Sequence, residues 1–146
     1  METGFLLPDT DDDEGAPFWV GTAAGELRVQ RCANCGLLRM PPRPMCPRCR
    51  SLDNTWDAMS GRGTIWSFVV PHRPLLPAYG ELAPYNVIVV TIDEDPAIRF
   101  VGNLVADQDA QINSVDPATI EIGAPVQVVF HQIEDVTLPR WVLAPG

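Results

Sequence analysis

The sequence predicts a mainly β chain: a short N-terminal helix, a metal-pinned ribbon, and then a small five-stranded barrel. Three observations predict it. The four cysteines fall as two CxxC pairs with ten residues between them, Cys32-Ala33-Asn34-Cys35 and Cys46-Pro47-Arg48-Cys49. Beyond residue 61, five short runs rich in Val, Ile and aromatic residues alternate with turn residues. Fifteen prolines and eleven glycines in 146 residues favour short strands and turns over long helices. With 46% apolar residues a core can form, either as one ordinary domain or as two small modules sharing an interface.

Taken in order, residues 1–15 are expected to be a flexible acidic leader that ends in Asp11-Asp12-Asp13-Glu14. Acidic residues there complement the positive end of a helix, and a helix is expected over 16–24, closed by Gly25. Phe18 and Trp19 are adjacent, so both cannot face one small core; one of them is a candidate for docking on a partner, with a core role as the favoured alternative for each taken singly. Residues 25–31 alternate apolar and polar positions and read as a strand entering the first cysteine pair. Leu37-Leu38-Arg39-Met40 returns from it, and Pro41-Pro42-Arg43-Pro44 carries a stiff path to the second pair. Trp56 is expected to close the ribbon, which with its helix fills residues 16–58.

Each CxxC turn places two sulfurs on one knuckle, and two facing knuckles make a tetrahedron of thiolates. Gly36 supplies the left-handed backbone that the first knuckle needs, whereas Arg50 stands in the matching place after Cys49. Two disulfides would require an oxidising compartment, and Met1-Glu2-Thr3 opens without the basic, apolar start of an export signal. A redox pair would follow a strand in a βαβ unit, of which there is no sign. The expected ligands are therefore Cys32, Cys35, Cys46 and Cys49 around zinc, with iron as the other metal such a set accepts. Four sulfurs leave no open position, so the ion would be structural.

Residues 63–70, 85–92, 98–105, 125–133 and 138–143 are the five expected barrel strands, within a domain over 59–146. The turn Asp93-Glu94-Asp95-Pro96 separates the second from the third. The longer link over 107–123 precedes the fourth, which fits a Greek-key barrel of OB type. Between the first two strands run fourteen residues, 71–84, with four prolines and the apolar Leu75, Leu76, Tyr79 and Leu82. Hairpin loops take about 2–5 residues. These side chains either fold back on the barrel or meet a ligand or subunit, and contact is the reading taken.

The net charge of −9 is unevenly spread. All ten basic residues are arginines, and six of them (Arg28, Arg31, Arg39, Arg43, Arg48, Arg50) lie in a ribbon segment without Asp or Glu. The acidic remainder argues against a nucleic-acid groove, although a single-stranded nucleic-acid binder remains the alternative that an OB barrel allows. The longest apolar run, near Val87–Val90, is far short of the ~20 residues that span a bilayer, so no membrane contact and a cytoplasmic location are expected. There is no nucleophile elbow, phosphate-cradling glycine loop or helically spaced carboxylate pair, and no catalytic residue is assigned.

These stretches resemble a known arrangement. Phe18-Trp19, Gly25-Glu26-Leu27, the two cysteine pairs, Pro41-Pro42-Arg43 and Ser60-Gly61-Arg62-Gly63-Thr64 are similar, in order, to the acyl-CoA-associated zinc-ribbon/OB-fold family. Pro71-His72-Arg73-Pro74, Pro84-Tyr85, Gly123-Ala124-Pro125-Val126 and Leu138-Pro139-Arg140 continue the likeness, which covers about residues 16 to 144. The resemblance implies a rubredoxin-like zinc ribbon, a C-terminal OB-fold and a role as partner of thiolase-like enzymes, including steroid side-chain aldolases. It implies that the partner carries the chemistry, while this chain helps to shape a shared CoA-thioester site. Arginine forks suit CoA phosphates and aromatic rings suit adenine or pantetheine. The candidate contacts are thus Arg62, His72, Arg73, Tyr79, Tyr85 and Arg140, with ion pairing and core packing as the alternatives for each. Trp66 joins Tyr79 and Tyr85 as a ring that could stack adenine or line a pantetheine groove. The ribbon arginines form a second group for the phosphates, and His131 is read as structural.

Overall fold

A computed structural model describes residues 4–145. It contains helix α1 (Ala16–Ala23) and strands β1 (Leu27–Cys32), β2 (Leu38–Arg39) and β3 (Asn54–Met59). These are followed by β4 (Arg62–Val69), the short helix α2 (Pro77–Gly80), β5 (Val87–Ile92), β6 (Asp95–Gly102), β7 (Pro125–Ile133) and β8 (Val136–Leu143). A single 3₁₀ turn over Pro117–Thr119 is the helical turn in the long link before β7.

Helix α1 carries proline in its first turn, where a missing N–H costs nothing. Gly25, at φ +76°, ends it as expected. Phe18 stacks on Phe100 of the barrel at 6.0 Å, while Trp19 meets Phe18 edge-on at 4.9 Å. Both rings are half-buried, Phe18 against the barrel core and Trp19 against Phe18.

The ribbon is a three-stranded antiparallel sheet in the order β2-β1-β3. β3 has no counterpart in the sequence expectations, because Asn54-Thr55-Trp56-Asp57-Ala58-Met59 shows no apolar alternation. It forms by pairing with all of β1, from Leu27 opposite Met59 to Cys32 opposite Asn54.

The five-stranded sheet runs β6-β5-β4-β7-β8, wholly antiparallel between neighbours. It curls until the chain just after β6 meets β8 in a parallel bridge between Leu104 and Trp141. There the Val105 N–H donates to the Trp141 carbonyl at 2.8 Å, and the Trp141 N–H donates to the Asn103 carbonyl at 3.0 Å. This is OB-fold topology. The strand over 125–133 falls where expected, and the others shift by one to three residues at their ends. β6 begins at Asp95, so the proline expected in a turn lies inside a strand at the sheet edge, in the irregular stretch where it has no partner in the ladder to β5.

Gly61 joins the two sheets at φ +80°, and a Cβ there would fall 2.4 Å from Cγ1 of Val128. Only glycine fits so close an approach. The carboxylate of Glu94, from the β5–β6 turn, accepts from the Ser60 N–H at 2.6 Å and from its hydroxyl at 3.1 Å. Leu27 and Val29 of the ribbon share one core with Ile65, Ile88, Val90, Phe100, Val126 and Trp141 of the barrel. Ribbon and barrel are therefore welded by apolar burial.

Candidate metal centre and ligand cavity

Cys32 closes β1, and Cys35 follows on a knuckle whose Gly36 lies at φ +79°. The Gly36 N–H donates to the Cys32 carbonyl at 3.0 Å. The second knuckle repeats this with a different residue: Arg50 lies at φ +67°, and its N–H donates to the Cys46 carbonyl at 2.9 Å. None of the four cysteines is in a disulfide. The sulfurs of Cys32 and Cys49 stand 3.5 Å apart, those of Cys35 and Cys46 3.6 Å, and all four lie within 4.8 Å of one another. A tetrahedral metal with sulfur bonds of about 2.3 Å requires separations of about 3.8 Å, so the set fits one ion.

The surroundings favour the thiolate at Cys32 and Cys46. At Cys49 the hydrogen bond from Asn34 is outweighed by burial and the neighbouring Cys32 and Cys35 sulfurs, which push the thiol up. The Cys35 N–H, 3.4 Å from the Cys32 sulfur, leads the interactions that pull the Cys32 thiol down to about 6, against burial that would raise it. The Cys49 backbone N–H likewise lowers Cys46. Asn34 donates its amide to the Cys49 sulfur at 3.4 Å. Arg31 ties the first knuckle to β3, donating to the Gly36 carbonyl at 2.9 Å and to the Asp57 carboxylate. Arg48 donates to the Cys35 carbonyl at 2.9 Å. Arg39 is buried, with Nε on the Gln30 amide oxygen at 2.8 Å and Nη2 on the Arg43 carbonyl at 3.0 Å. Arg28 pairs with Glu26 at 2.8 Å. Four of the six ribbon arginines thus have partners inside the module.

The second feature is a cavity of about 560 Å³ between α1, the 71–84 loop and the barrel edge. Phe18, Trp19, Tyr79, Tyr85, Phe100 and Arg140 are among its walls. The structure brings together three of the expected ligand contacts here: Tyr79, Tyr85 and Arg140. The two tyrosine rings lie 6.3 Å apart, and burial, then the neighbouring Tyr79, pushes the Tyr85 phenol up. The other three lie elsewhere. Arg62 is exposed, 3.7 Å from Asp93. Arg73 donates Nε to the Gly80 carbonyl at 2.6 Å and braces α2, and His72 is exposed beside it. Trp66, also outside the cavity, carries the Arg99 guanidinium 3.8 Å above its ring.

The sequence reading did not foresee the part played by the leader. Expected to be flexible, its residues 5–7 line the cavity. Phe5 packs edge-on against Tyr79 at 4.9 Å, and the Leu6 N–H donates to the Tyr79 hydroxyl at 3.0 Å. The apolar triplet Phe5-Leu6-Leu7 in an otherwise polar run was the available signal. A smaller cavity of about 360 Å³ adjoins, lined by Asp109, His131 and Glu134. There His131 Nδ1 lies 3.0 Å from the Asp109 carboxylate. Phe5, Ile112, Ile133 and Arg140 line both cavities.

Residues 19–55 match a family described as the ChsH2 rubredoxin-like zinc ribbon domain, and residues 56–131 match the ChsH2 C-terminal OB-fold domain. The chain belongs to the ChsH2 family. Its ribbon is thereby a zinc ribbon, and the four cysteines are its metal set. The alpha subunit of 3-oxo-4,17-pregnadiene-20-carboxyl-CoA hydratase from Mycobacterium tuberculosis is 37% identical over 97% of this ChsH2-family chain. The chain spans 41% of that subunit's length. A DUF35 domain-containing scaffold protein from Methanothermobacter thermautotrophicus is 31% identical, over 75% of this chain and 74% of its own. Among solved structures, a chain of an Ltp2-ChsH2(DUF35) aldolase is 33% identical with a TM-score of 0.80, covering 94% of this chain and 100% of its own. No helix among the described residues is long and apolar enough to cross a membrane.

Proposed function

We propose that this chain is a non-catalytic accessory subunit of a thiolase-like acyl-CoA enzyme, in a hetero-oligomer whose partner makes or breaks the carbon–carbon bond. The observation that carries this reading is the likeness to a chain of the Ltp2-ChsH2(DUF35) aldolase, which extends over that chain's whole length. The hydratase relative, whose name specifies a steroid-derived CoA thioester, supports steroid side-chain degradation as the setting. The zinc ribbon is the structural module, since four sulfurs leave no place for a substrate.

In this reading the partner docks on the exposed apolar part of the 71–84 loop, where Leu76 is 54% exposed beside Leu75. Tyr79, Tyr85 and Arg140 are offered to the acyl end of a shared CoA thioester. Arg62, His72 and Arg73, which are exposed, are offered to its phosphates. Co-expression with a thiolase-like protein from the same source should yield a complex stable to gel filtration. Separate elution, together with full activity of the partner alone, would refute the reading.

A further inference from the structure

Arg140 is a buried cation with too little to hold. The residue is only 6% exposed, yet no carboxylate among the described residues lies within ion-pair distance of it. Its one hydrogen-bond partner among them is the Ala110 carbonyl, on Nη1, out of five N–H groups. Asp109, the acid whose charge acts on it, is 72% exposed and is bonded to His131. Burial lowers the Arg140 pKa, with Asp109 offsetting only part of that. A buried charge without a counter-ion is costly, and Arg140 faces both cavities.

We infer that the two cavities form one amphipathic site for an apolar monocarboxylic acid, whose chain lies among Phe18, Trp19, Tyr79 and Phe100 and whose carboxylate pairs with Arg140. A planar fork and a carboxylate match bidentately. A phosphate dianion is disfavoured, because Asp109 and Glu134 share the smaller cavity with one arginine. The larger volume lies within the range of pockets that enclose drug-sized ligands. Phe5 stands where the cavities meet, so the leader forms part of the wall between chain and head group. The site uses three residues of the reading above but does not rest on a partner.

The test is calorimetric titration of the zinc-loaded full chain with decanoate, 1-decanol and coenzyme A. Decanoate should saturate one site and bind at least about tenfold more tightly than decanol, a difference of about 1.4 kcal/mol. Arg140→Met should abolish that preference while decanol still binds. Val101→Trp, at an exposed position on the cavity rim, should weaken both probes without touching the Arg140 contact to Ala110. Equal affinities for the two probes, no saturable binding, a Val101→Trp protein that binds like the parent, or displacement of decanoate by unacylated coenzyme A would each overturn the inference. Failure of these probes leaves the co-purification result above to stand or fall separately.

Discussion

Asn86 behaves as a short strand in side-chain form: its Nδ2 donates to the Leu104 carbonyl at 2.9 Å, and its Oδ1 accepts from the Leu104 N–H at 2.7 Å. Both residues are fully buried. The pair fastens the start of β5 to the segment that closes the barrel, and the Asn103 amide adds a third bond by donating to the Asn86 carbonyl at 2.6 Å. Asn86→Leu would orphan a buried backbone N–H and C=O, at about 1–3 kcal/mol each. The expected loss is about 3 kcal/mol, read from urea denaturation. A change below about 0.5 kcal/mol would show that Leu104 finds other partners.

Cys49→Ser should abolish zinc binding, because it removes one of four ligands and breaks the 3.5 Å approach to Cys32. Elemental analysis should find an ion in the parent and none in the variant, and ribbon amides should lose hydrogen-exchange protection. The parent should be colourless; visible absorption would mean iron. A metal-free variant with the parent's protection would contradict a structural ion.

Arg50→Gly should hold or raise stability. Arg50 adopts φ +67° at the place where the first knuckle uses Gly36, and a side chain in that conformation costs about 1–2 kcal/mol. Glycine removes that strain but gains freedom in the unfolded chain, so the net gain is at most about 1 kcal/mol. The reciprocal Gly36→Ala should destabilise. Thermal melts of the zinc-loaded proteins compare the two, and a large loss in Arg50→Gly would show that the guanidinium does more than fill the turn.

Leu76→Asp should prevent association with the thiolase-like partner while leaving the isolated chain within about 0.5 kcal/mol of the parent, since the side chain is mostly exposed. Co-purification and a melt separate the two effects. Undiminished complex formation would move the docking surface away from the 71–84 loop.

Much of this molecule was legible because local chemistry dictates it. The spacing of Cys32, Cys35, Cys46 and Cys49 needs no tertiary information to declare a metal. Pro125–Ile133 is rich enough in Val, Ile and Phe, and follows Gly123 closely enough, for its ends to be placed where the structure has them. β3 was not legible, because its stability comes from the ladder to β1 rather than from its own pattern. The cavity was legible only as scattered residues. Tyr79 and Tyr85 suggested it, but its walls come from Phe5 at one end of the chain and Arg140 near the other, joined by no periodicity. The guanidinium of Arg140 matters because of the counter-charge it lacks, and sequence does not print an absence of that kind.

The shared core of Leu27 and Val29 with the barrel strands has a consequence for how this chain can be divided. The two family matches meet at residues 55 and 56, inside β3, and a cut there or at the junction near Gly61 would leave the C-terminal half with an open wound where two ribbon side chains had been. Any gene rearrangement that moved the barrel alone would have to supply a substitute plug, so the two halves are expected to travel together as a single heritable piece.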